Sequence, residues 1–208
     1  MATMLQLLND NAPMADIAAF LDGLDHAARV AEVRTLRGKP LGRLYEAATG
    51  RHLDLDFFVP ATVPVGQPVV HHGVNSLPAP IGGFFRKPMV RSAEDPGLLW
   101  GYNDNEGLVA RIPWFTGPGY FAVRGKGTES PDGRTDHGGQ LFINYYERPE
   151  TAPIATWPAP KPPIGLTAGL VFGEMCDYMW QVSAHVSIGA AYKRGKVVGA
   201  WFALVRED

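Results

Sequence analysis

Apolar positions in the first fifty residues recur at helical spacing. Ile17, Phe20, Leu21 and Leu24 fall at i, i+3, i+4 and i+7, with Asp16 placed to cap the turn. A second amphipathic segment starts at the N-cap residue Asp25 and runs through Val30 and Val33 to Leu36, where Gly38 stops it. A third has Pro40 in its first turn, Leu41, Leu44, Tyr45 and Ala48 on one side, and Gly50 at its end. Short helices are therefore predicted over residues 1–50.

From residue 84 the period changes to that of strands. Phe84 to Arg91, Leu98 to Asn103, Tyr120 to Arg124 and Leu141 to Glu147 read as an antiparallel meander, separated by Gly, Pro, Asn and Asp clusters. The clearest hairpin is Val186 to Tyr192, a turn at Lys193, Arg194 and Gly195, then Lys196 to Val205. Its second arm is apolar on both faces, so it is expected to be covered on both sides. Val171, Met175, Tyr178, Met179 and Val182 recur at helical spacing and predict a helix from Leu166 to Val182, striped by Gly165, Gly169 and Gly173.

Prolines 60, 64, 68, 78 and 80 mark 51–83 as an extended strap, and the prolines from Pro149 to Pro163 mark 149–165 as a second connector. The expected fold is α+β in one domain: a helical region (1–50), the strap, a meander (84–148), the connector, and a helix plus β-hairpin (166–208). The sheet is curved and mostly antiparallel, or a partly closed barrel.

Gly 24 and Pro 18 in 208 residues agree with a chain rich in turns, and 46% hydrophobic with 19% charged residues excludes wholesale disorder. A net charge of −2 without a Lys/Arg run argues against nucleic acid as partner. No run of residues reads as a membrane span or signal peptide, and the lone Cys176 suits a reducing compartment, so a soluble cytoplasmic protein is expected.

Candidate chemistry comes from the strand faces. Trp100 and Tyr102 share a face, as do Tyr120 and Arg124, then Phe142, Asn144 and Tyr146, then His185 and Ser187. If these faces converge they line a pocket with aromatic walls and polar anchors, fit for a small apolar or aromatic ligand. Asn75 and Ser76, in the polar run after His71 and His72, join the candidate contacts. His72 or His185 would be a general base, with Tyr102 or Asn144 steadying negative charge. On the predicted C-terminal helix Glu174, Asp177 and Gln181 form one polar side, from which Asp177 could orient His185.

Adjacent strand residues point to opposite faces, so His71 and His72 cannot chelate one ion from a strand. No metal site or cofactor is assigned; a centre using His72, His185 and Asp136 or His137, or a haem, is one alternative. The other is an interaction module in which the aromatics form a homodimer or partner surface.

Overall fold

Alternating strands from residue 69 onward close on themselves. The computed structural model describes residues 2–78, 82–105, 119–125, 128–134, 139–160 and 174–208. Its eight strands are β1 (Val69–Asn75), β2 (Phe84–Arg91), β3 (Leu98–Asn105), β4 (Gly119–Arg124), β5 (Leu141–Asn144), β6 (Met175–Gln181), β7 (Val186–Lys193) and β8 (Lys196–Arg206). They form a closed antiparallel barrel in chain order. The seam pairs β1 with β8, with His71 opposite Arg206 and Asn75 opposite Phe202. Closure removes the free edges of an open sheet.

In a barrel every second side chain points inward, and here those positions are mostly apolar. Phe85, Met89, Leu99, Phe121, Val123, Leu141, Ile143, Met179, Phe202 and Leu204 form one buried cluster. Three interior glycines make room for its rings. A Cβ on Gly73 would meet Phe85 at 2.4 Å, one on Gly101 would meet Phe121 at 2.5 Å, and one on Gly189 would meet Phe202 at 2.5 Å. Each glycine is the cross-strand partner of that phenylalanine.

One barrel end is plugged. Asp54 caps α5 (Leu55–Phe58) by accepting from the Phe57 amide at 2.9 Å. The plug buries Phe57 and Phe58 with Leu53 and Val59 against the barrel core. Arg206 donates to the Phe57 carbonyl at 2.5 Å and Arg91 to the Val59 carbonyl at 2.6 Å. Helices α1 (Met4–Asn9), α2 (Met14–Asp22), α3 (His26–Arg34) and α4 (Lys39–Ala47) cover the outside, burying Leu21, Val33, Leu41 and Leu44 against Val74, Val186, Ile188, Ala203 and Val205. The last third of β8 is thus apolar on both faces because core lies on one side and helices on the other. Gly42 of α4 lies flat on Trp201, where a Cβ would stand 3.4 Å from the ring.

The helices expected before residue 50, the strands from 84, 98, 120 and 141, the last ending at Asn144, and the C-terminal hairpin are present. Four features differ. The sheet is a fully closed barrel. The strap contains α5 and β1: Pro60, Pro64 and Pro68 precede β1 and Pro78 follows it, so the prolines bound a strand without interrupting it. Met175 to Gln181 is a strand, not the end of a helix, while residues 161–173 of that predicted helix lie outside the described residues. Buried on both faces, β6 lacks the apolar/polar alternation that distinguishes strand from helix. Finally, α1 was not expected; Thr3 and Gln6 cap it reciprocally. Among the described residues no helix is long and apolar enough to cross a membrane.

Candidate functional site: a buried lysine in the barrel

Among the interior positions of β2, a lysine stands between Phe85 and Met89. Lys87 is 2% exposed. Its Nζ donates to Asn103 Oδ1 of β3 at 2.6 Å and to the Tyr145 hydroxyl at 2.5 Å. That hydroxyl donates onward to Asp177 Oδ2 of β6 at 3.1 Å. Lys87 Nζ and Asp177 Oδ2 lie 4.0 Å apart, an ion pair too long for a hydrogen bond. The rings of Phe121, Tyr145, Phe202 and Phe85 surround the ammonium with centroids 4.7, 5.1, 5.2 and 5.6 Å away.

Local structure explains why these groups meet. Lys87, Asn103 and Asp177 are inward positions on three strands. Tyr145 follows β5 and continues its inward alternation, while Asn144 accepts from the Tyr146 amide at 2.9 Å and turns the chain out of the sheet. The centre occupies the half of the barrel away from α5, because Asn103, Tyr145 and Asp177 sit near the strand ends opposite the plug.

Burial governs the electrostatics. It pulls the Lys87 ammonium down to about 8, against the opposing attraction of Asp177. It pushes the Asp177 carboxyl up to about 6, against the opposing influences of Lys87 and the Tyr145 hydrogen bond. It also raises Tyr145 well above the ordinary phenol value, with the Asp177 charge acting the same way. Hydrogen-bonding capacity remains unspent: Asp177 Oδ1 is buried and has no partner among the described residues. Of the three ammonium protons of Lys87, two find acceptors within hydrogen-bond distance. A buried ammonium with one proton to spare and a buried carboxylate with one oxygen to spare therefore belong to the same pair. Such an arrangement can hold a group that both accepts and donates.

His71, also inward and fully buried, donates from Nε2 to the Phe58 carbonyl of the plug at 3.0 Å. Burial lowers its imidazole to about 3, so it is neutral in the folded protein.

Of the residues singled out from the sequence, His71, Asp177 and Ser187 point into the barrel, while the expected ligand contacts and the candidate bases His72 and His185 lie on its outside or at its ends. Trp100, Tyr102 and Tyr120 do come together, with Trp157 of the Pro-rich segment over them. Tyr102 and Trp157 ring centroids are 5.0 Å apart, and Tyr120 donates to the Pro158 carbonyl at 2.6 Å. Arg124 pairs with Glu147 at 2.5 Å and Asp95 at 2.9 Å. Phe142 packs with Cys176, Tyr178 and Tyr192 in a separate outer cluster. There burial pushes the Cys176 thiol up to about 12. Asn75 accepts from the amides of Leu77 and Gly83, both at 3.2 Å, and Ser76 accepts from the Trp201 amide at 2.9 Å.

His72 faces outward from β1, with Nε2 3.0 Å from Glu207. His185, in the turn before β7, has Nδ1 2.9 Å from Asp208 and 3.3 Å from an Arg206 nitrogen. Burial, with Arg29 and Arg206 near, holds its imidazole below the ordinary value. Asp177 faces Lys87 and does not orient His185. His137 and Asp136 lie outside the described residues.

The sequence reading missed Lys87, Asn103 and Tyr145. A signal existed in Lys87, a basic residue flanked by Phe85 and Met89 on one face of β2. Comparison of the chain with family models, curated protein sequences and solved structures found no significant match.

Proposed function

We propose that the protein binds a small, largely apolar molecule inside the barrel, gripping one carboxyl or carboxamide group between Lys87 and Asp177. The observation that carries this reading is the buried pair of ammonium and carboxylate, the one with a proton and the other with an oxygen to spare. Stability alone gives no reason to keep such a pair, since replacing a buried ion pair by apolar side chains is often neutral or stabilising by about 1–4 kcal/mol. Perturbed ionisable groups gathered in one apolar site are, in general, a mark of binding or catalysis. Phe121, Phe202 and Met89 would contact the apolar body of the ligand, with rotamer changes opening space for it.

The test is native mass spectrometry of the purified protein, followed by titration with decanoic acid, decanamide and decane read by intrinsic fluorescence. The acid and the amide are expected to bind at least about tenfold more tightly than the alkane, a difference of about 1.4 kcal/mol. The double variant Lys87→Met/Asp177→Asn, which keeps the volume and removes both charges, is expected to abolish that preference while retaining the fold. Equal affinity for all three compounds, or an unchanged preference in the double variant, would sink the reading.

A further inference from the structure

The second concentration of ligating side chains lies on the outer surface, away from Lys87. Its three members come from separately fixed elements. His26 is the first residue of α3, directly after the N-cap Asp25, whose side chain accepts from the Ala28 amide at 2.8 Å. His72 projects outward from β1, held between β2 and β8 by pairing with Arg86 and Val205. Glu207 follows β8, and its amide donates to the Val70 carbonyl at 2.9 Å. One ligand atom from each of the three lies within 4.8 Å of the others.

We propose that His26, His72 and Glu207 form a surface site for a borderline divalent cation of the zinc class. Two imidazoles and one carboxylate suit such an ion, and three protein ligands leave a position for water or a further ligand. The nearest pair already has the required spacing. His72 Nε2 and Glu207 Oε1 are 3.0 Å apart, and ligand atoms about 2.0–2.2 Å from a zinc ion stand roughly 3.0–3.5 Å from one another. The imidazoles of His26 and His72 have centroids 5.3 Å apart, so a side-chain rotation at His26 completes the triangle.

An independent observation points the same way. His26 Nδ1 is buried and has no hydrogen-bond partner among the described residues. A metal binds an imidazole through the lone pair of one ring nitrogen, and His26 Nδ1 is engaged in no hydrogen bond that would have to break.

Neighbouring charges permit this. Arg29 and His185 pair with Asp208 at 2.6 and 2.9 Å, and Arg86, opposite His72 on β2, pairs with Asp104 at 2.6 Å, so these basic groups are engaged by other carboxylates. The Glu207 charge is left for the ion. His72 and Glu207 side chains are 21% and 46% exposed, which gives a solvated metal ion a way in.

The experiment uses the full chain, freed of metal with a chelator and titrated with Zn2+ by calorimetry and with Co2+ by visible absorption. One equivalent is expected to bind, with cobalt bands of a four-coordinate site. His26→Gln, His72→Gln and Glu207→Gln are each expected to weaken binding at least about tenfold, with the Lys87 centre untouched. In the wild type, NMR is expected to show zinc shifting two imidazole spin systems, a readout that needs no variant to fold. Absence of binding overturns the proposal. So does zinc affinity unchanged in all three variants, which would place the ion elsewhere on the protein.

Discussion

Lys87, Asp177 and His71 show how burial sets protonation, and together they predict an acid response. His71 ionises at about 3 when folded and near 6.5 when unfolded, so between those values the unfolded chain binds the extra proton. Its contribution to stability is present above pH 6.5 and is lost as pH falls towards 3. Asp177 works oppositely. Its carboxyl ionises at about 6 when folded and 3.8 when unfolded, so the folded chain holds the extra proton in between, and the benefit is lost as pH rises. Between pH 4 and 6 the two dependences therefore oppose one another. Asp177→Asn is expected to make stability fall more steeply on acidification; loss of its charge lowers Lys87 further, in the same direction. His71→Gln, which keeps a donor for the Phe58 carbonyl, is expected to flatten or invert the dependence. Urea midpoints for the three proteins across pH 4–6.5 measure this, and parallel curves would contradict it.

At the scale of elements, the interior is built from phenylalanines lying over cross-strand glycines. A methyl added at Gly101 would stand 2.5 Å from Phe121 and 2.9 Å from the Pro88 carbonyl, and the backbone has little freedom to give. Gly101→Ala is expected to destabilise by about 1–3 kcal/mol, the usual range for overpacking. Phe121→Leu on its own leaves unfilled volume, but added to Gly101→Ala it relieves the clash. Chemical denaturation of both single variants and the double variant is expected to show costs well below additive. Additive costs would mean that the ring and the glycine do not interact.

The same elements show what was legible in the sequence. Helices α2, α3 and α4, strands β2 and β3, and the β7–β8 hairpin each carry a one-sided pattern or a turn signal, and these were read. β6 was mistaken because Met175, Tyr178, Met179 and Val182 fall at helical spacing while every inner residue of the strand is buried. β1 hid between prolines and opened with two valines before two histidines. Trp100 with Tyr102, and Tyr120 with Arg124, read as pairs sharing a face, but alternation says which residues share a face, not which face becomes the inside. That choice depends on closure between β1 and β8, a pairing of residues about 130 positions apart that no local pattern encodes. Lys87 and Asp177 could not be matched without it.

For the whole molecule the β1–β8 seam is therefore the decisive contact. His71 lies opposite Arg206 and Val74 opposite Ala203, so the barrel closes only when distant parts of the chain meet. Late closure is the expected order of folding, since non-local pairing bears the full loop entropy before any contact offsets it. In the native state, however, the seam is covered from both sides. Val74, Ala203 and Val205 lie under the helices, and Phe202 and Leu204 pack in the core. Opening it would expose both apolar layers and release Arg206 from the Phe57 carbonyl of the plug. The amides of β1 are accordingly expected to exchange with solvent as slowly as those of β3, through global unfolding alone. Native-state hydrogen exchange at increasing denaturant separates the cases. If β1 amides exchange by a low-energy opening while β3 stays protected, the barrel breathes at its seam, and the Lys87 centre is reachable from the side.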